Sequence, residues 1–137
     1  PQEGESAFDL ANVYPTPILE DLTVDQYGFL KITPAGIRRD FAPDLNAEEQ
    51  TVLSAVQKPT ALGGSLSSPV AVPAWRNKPT WFVIAAQDRV VHPQLQAMEA
   101  ERMNATSITL AASHVAMLSQ PEVVASFIRK AARQLGN

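Results

Sequence analysis

Trp81 to Ala86 is an unbroken run of six apolar residues, WFVIAA, opened by Thr80 and rich in aromatic and β-branched side chains. A run of that length and composition reads as a strand buried on both faces in a parallel sheet. It is also far too short to span a bilayer. A strand of this kind constrains the rest of the chain, because it needs hydrogen-bonded neighbours on its edges and helices over its faces. It ends in the polar pair Gln87 and Asp88.

Beyond Asp88 the pattern is regular. Pro93 starts a helix predicted to run through Met103 with Leu95 and Met98 facing inward, and Ser107 to Leu110 (SITL) reads as a second strand. A loop holding Ser113 and His114 comes next. Ser119 and Glu122 then stand three apart, the spacing of a capping box, with Pro121 in the first turn. The predicted helix places Val123, Val124, Phe127, Ile128 and Ala131 on one face, and Gly136 is placed to end it. Strand, helix, strand, helix is the order of an α/β architecture with right-handed crossovers.

The half before Trp75 has a different texture, broken by Pro15, Pro17, Pro34, Pro43, Pro59, Pro69 and Pro73 into short elements. Ser6 caps a brief helix to Tyr14 that carries Phe8 and Val13. Leu22 to Ile32 alternates loosely around Gly28 as a short hairpin would. Pro34 can open a helix through Phe41, and Asn46 with Glu48 and Glu49 caps another bearing Val52, Leu53 and Val56. Gly63 to Pro73 reads as a loop. One partner strand does not satisfy the apolar strand before Asp88. The expectation is that further strands precede Pro1, the alternative being that the hairpin or the stretch near Val70 supplies them. A first residue that is not Met fits a processed or excised piece.

Composition enters as an exclusion. With 137 residues, 45% hydrophobic and 18% charged, the chain can bury a core. A net charge of −3 without any Lys/Arg run gives no footprint for nucleic acid or an anionic membrane. The lack of cysteine removes disulfides and thiolate chemistry but leaves the compartment open, cytoplasmic or exported. Two histidines and scattered acids give no metal-ligand spacing.

Asp88 sits at the carboxyl end of a buried strand and His114 in the loop after the next one. Open α/β sheets place their ligand-facing groups at that edge. There a carboxylate can fix the tautomer of an imidazole whose free nitrogen acts as general base. Taken singly, a turn aspartate and a loop histidine explain both residues without chemistry. His92, directly before Pro93, is explained as a helix-start residue.

Together, Pro79 to Pro93 (PTWFVIAAQDRVVHP) and Ala112 to Pro121 (ASHVAMLSQP) resemble the end of α/β-hydrolase fold esterases. The likeness is to the bacterial salicylate-esterase-like branch related to methylesterases and hydroxynitrile lyases. Asp25-Gln-Tyr-Gly-Phe-Leu30, Phe41-Ala-Pro-Asp-Leu45 and Ala55-Val-Gln-Lys-Pro59 are similar to that family's cap. The resemblance implies a fold made of the C-terminal half of an α/β-hydrolase sheet preceded by a small, mostly helical cap with a short hairpin. It divides the chain into a cap and linker over 1–74 and the C-terminal part of the core over 75–137. It also implies that Asp88 and His114 are acid and base of a Ser-Asp-His triad. The family's serine lies in a G-x-S-x-G turn before the cap. Ser65, in Gly63-Gly-Ser-Leu-Ser67, comes nearest here, but no apolar strand leads into it and Pro69 blocks the helix that should come after. Ser113 receives no nucleophilic role. Val115, Met117 and Leu118 are divided between acyl pocket and packing, and Tyr27, Phe29, Phe41 and Trp75 between cap core and substrate wall.

These readings lead to a cofactor-independent serine hydrolase for small-molecule carboxylic esters, completed by an N-terminal half of the same protein. The chain alone is expected to be inactive. A hydroxynitrile-lyase-like enzyme and a non-catalytic interaction module are the alternatives.

Overall fold

The computed structural model describes residues 1–135, without the side chains of Leu62 and Ser65. Gly136, the expected helix stop, lies outside the described residues. Helix α1 (Ala7–Val13) starts at Ser6, whose hydroxyl accepts from the Asp9 N–H while the Asp9 carboxylate accepts from the Ser6 N–H, so the cap is reciprocal. Phe8 and Val13 nevertheless stay exposed.

The hairpin forms as β1 (Leu22–Val24) and β2 (Phe29–Ile32), antiparallel, with Leu22 opposite Ile32 and Val24 opposite Leu30. Asp25 builds the turn by accepting from the N–H groups of Tyr27 and Phe29, both at 2.9 Å. Gly28 supplies the positive φ, 79°, that the reversal requires. A third strand, β3 (Thr60–Ala61), joins the β2 edge. The sequence gives no warning of it, because two residues after a proline carry no period. Gln57 extends this pairing, accepting from the Ile32 N–H and donating to the Ile32 carbonyl.

Pro34 opens α2 (Pro34–Gly36), which widens into a π-helical turn over Ile37–Phe41, closed by the Ala42 N–H bonding to the Ile37 carbonyl at 2.8 Å. Gly36 is required there by space: a Cβ would come within 2.5 Å of the Asp21 Cβ. Helix α3 (Ala47–Val56) carries a full capping box between Asn46 and Glu49. Of its expected apolar stripe only Leu53 packs inward, while Val52 and Val56 are exposed.

Strand β4 (Trp81–Ala85) and β5 (Thr106–Leu110) pair in parallel, Trp81 opposite Thr106 through Ala85 opposite Leu110. Helix α4 (Pro93–Arg102) crosses between them. His92 is its N-cap, accepting from the Gln94 N–H, which is the structural role expected of it. The inward face of α4 differs from expectation, for Gln96 and Glu99 are buried beside Leu95 and Ala100. A short α5 (Ala116–Ser119) precedes α6 (Pro121–Leu135). The Ser119–Glu122 capping box does not form as expected. Ser119 is taken into α5, so α6 starts at Pro121 and the Gln120 carbonyl accepts from Val124.

Among the described residues the core includes two small clusters. Leu110, Ala112, Ala116 and Val124 pack with Val83 and Ile108, and Ala42, Leu45 and Val115 pack with Phe41 and Leu53. Among the described residues β4 pairs with β5 alone, and Trp81 to Ile84 remain only half-buried. Neither the hairpin nor Val70 adds to that sheet: the hairpin keeps its own, and Val70 bridges to Glu3. On α6, Val124 and Phe127 are buried, but Val123 and Ile128 are exposed because a two-stranded sheet covers only part of that face. Among the described residues no helix is long and apolar enough to cross a membrane.

Candidate active site

Strand β4 delivers Asp88 and strand β5 delivers His114 to the same sheet edge. Parallel pairing makes the two strands end together, and each residue lies within a few positions of its strand's carboxyl terminus. Oδ2 of Asp88 lies 2.9 Å from Nδ1 of His114.

The aspartate is buried at 7% exposure and is held from several directions. Its Oδ1 accepts from the backbone N–H groups of Val90 (2.7 Å) and Val91 (3.0 Å), the turn that carries the chain into α4. Its Oδ2 accepts from Gln96 Nε2 at 2.7 Å. Gln96 is itself fixed, since the same Nε2 donates to the Val91 carbonyl and its Oε1 accepts from the Ala85 N–H. A carboxylate holding three donors can only accept from the imidazole. The Nδ1 of His114 therefore carries a proton toward Asp88, and in the neutral ring Nε2 is the nitrogen that keeps its lone pair. The ring is about one-third exposed, and Phe41 packs against it with ring centres 5.0 Å apart.

The residues next to this pair are tied to the π-helical turn and the loop after it. Arg89 donates from Nε to Asp40 at 2.6 Å; the Asp40 side chain has no exposed surface and also accepts from Arg39 Nε at 3.1 Å. Burial pushes the Asp40 carboxyl up, but the hydrogen bonds from Arg89 and Arg39 outweigh it and hold the group below its ordinary range. Ser113 is fully buried and donates both its N–H and its hydroxyl to the Asp44 carboxylate. Burial raises Asp44 too, and the two bonds from Ser113 bring it below the usual value.

A cavity of about 290 Å³ is lined by Asp88, His114, Phe82, Val83, Met117 and Val124 among others. A larger one of about 540 Å³, between α1 and α4, is strongly apolar and holds neither Asp88 nor His114. The smaller cavity is therefore the candidate site. Met117 lines it, Val115 is core, and Leu118 lies at the surface beside α3. Of the four ambiguous aromatics, Phe41 reaches the histidine and Trp75 lines the larger cavity, while Tyr27 and Phe29 are exposed on the hairpin.

A family model described as the Alpha/beta hydrolase family matches residues 3–127. The chain belongs to the alpha/beta hydrolase family. No curated protein matches this alpha/beta hydrolase chain. Among solved structures it is similar to the crystal structure of polyneuridine aldehyde esterase, with a TM-score of 0.79 and 17% identity over 96% of this chain. A histidine-to-alanine variant of that esterase gives a TM-score of 0.74 at 16% identity over 94%. At such identities the likeness is one of fold. The alpha/beta hydrolase chain spans 58% of the first neighbour's length and 57% of the second's. The expected fold class, α/β with part of a hydrolase sheet behind a mostly helical segment and a hairpin, is the one observed.

Sequence reasoning missed Gln96, Asp40, Asp44 and Arg89. Gln96 gives no signal, because a glutamine in a helix reads as solvent-facing. Asp44 and Arg89 lie inside the stretches that carry the family resemblance and Asp40 directly precedes one, but residue type alone assigns them no partner. Among the described residues no group of three His, Asp or Glu gathers as metal ligands would.

Proposed function

We propose that this chain carries the acid and base of a serine hydrolase acting on small carboxylic esters, with Asp88 as acid and His114 as base. Residues 1–74 form its cap and linker and 75–137 the C-terminal part of its core. The nucleophilic serine and most of the oxyanion hole come from an N-terminal half of the same protein. The observation that carries this reading is the 2.9 Å contact from Asp88 to Nδ1 of His114, which leaves Nε2 free beside a cavity of small-ester size.

In that enzyme, Nε2 of His114 takes the serine proton as the oxygen attacks the ester carbonyl. The imidazolium, held by Asp88, then protonates the departing alcohol, leaving an acyl-enzyme. Water, deprotonated by the same nitrogen, releases the acid. No step draws on a cofactor. The family assignment and a structural neighbour that is an esterase by name support the ester as substrate. Ser113 is committed to Asp44, which argues against it as nucleophile.

Turnover of an activated ester by the full reading-frame product and by its His114→Ala variant tests the assignment. The expected loss on substitution is at least about a thousandfold in kcat. Equal rates would sink it. Turnover of a cyanohydrin in place of the ester would favour lyase chemistry, and the 137-residue chain alone should turn over neither.

A further inference from the structure

One contact with the Asp88–His114 pair and two with the residues beside it originate in one five-residue stretch, Asp40 to Asp44. Asp40 binds Arg89, the residue after Asp88; Phe41 packs on the His114 ring; Asp44 takes both donors of Ser113, the residue before His114. The stretch is anchored in its turn by the π-helical bond from Ala42 to Ile37 and by the packing of Ala42 and Leu45 against Val115, the residue after His114. Gln50 donates to the carbonyls of Ala42 and Leu45, fixing the backbone on both sides of Asp44.

We infer that Asp40 and Asp44 are positioning residues, the two ends of a clasp that sets the separation and orientation of the two strand-end loops carrying Asp88 and His114. The inference rests on the proposed acid and base roles but concerns different residues. Physically, each loop leaves its strand as a single excursion, and a free loop costs conformational entropy to hold in one arrangement. Two carboxylates on a short, packed segment replace that freedom with charge-assisted hydrogen bonds to the residues next to the reacting pair. Asp44 reaches the pair through its two hydrogen bonds to Ser113, the residue before His114. The clasp also couples the first half of the chain to the chemistry, because any motion that lifts the segment away releases both loops together.

The test uses the full reading-frame product with p-nitrophenyl acetate, together with the low-field proton resonance of the His114 Nδ1–H. Asp44→Ala is expected to lower kcat about tenfold with KM changed less than about twofold, and to broaden or shift that resonance. Ser113→Ala should act in the same direction, and the double variant should be no worse than Asp44→Ala, because both remove the same link. Asp44→Asn, which keeps an acceptor for the Ser113 N–H, should recover part of the loss and serves as the conservative check on folding. An unchanged kcat and resonance in Asp44→Ala, or strictly additive losses in the double variant, would overturn the clasp. Absence of ester turnover by the wild-type protein would count against the esterase reading instead. In that case the resonance alone decides: its loss in Asp44→Ala supports the clasp and its persistence overturns it.

Discussion

Gln96 shows how one buried amide can organise a site. Its Nε2 serves Asp88 and the Val91 carbonyl while its Oε1 serves the Ala85 N–H, so strand end, turn and helix α4 are tied through one side chain. Gln96→Leu keeps the volume but strips the donor from Asp88 and leaves the Ala85 N–H without its partner. A stability loss of about 2–3 kcal/mol is expected, read as a lower denaturant midpoint at unchanged slope. The meeting of Asp88 and His114 at one sheet edge was legible because position speaks for it: each comes after a strand whose apolar pattern marks it. Gln96 was not, since burial of a polar helix residue depends on what lies across from it, and a single sequence does not display that. The same holds for Asp40 and Asp44, whose partners lie 49 and 69 residues away.

At the scale of elements, the link between the π-helical turn and the loop after β4 should be visible in the acid response of the fold. Asp40 is held below its ordinary carboxylate range by Arg89 and Arg39, so its pairing stabilises the folded chain above the unfolded carboxylate value and is lost as pH falls through the folded one. Wild-type stability should therefore decline below about pH 4, and Asp40→Asn should be less stable at neutral pH with a shallower acid slope. The neutral-pH cost should be about 1–2 kcal/mol, because both guanidinium partners stay half-exposed. Urea titrations at several pH values measure both; parallel acid slopes would contradict the link. N-caps at Ser6 and Asn46, the hairpin and both parallel strands were readable from local chemistry. The start of α6 was misplaced because α5 absorbs Ser119, and β3 was missed because its pairing is decided by β2 and Gln57 rather than by its own residues.

At the scale of the whole molecule, Trp81–Ala85 folds as a parallel strand with one neighbour among the described residues, and Trp81 to Ile84 stay half-buried. The proposed N-terminal half gives that strand its further partners and gives His114 its serine, so one addition answers a packing need and a chemical one. Val123 and Ile128 on α6 are likewise apolar and exposed. The most direct measurement is to treat the full reading-frame product with a fluorophosphonate and locate the adduct by peptide mapping. The account predicts one labelled serine, upstream of Pro1, with labelling lost in the His114→Ala variant. A label on Ser65, Ser113 or any other serine of this chain, or labelling that persists without His114, would contradict it.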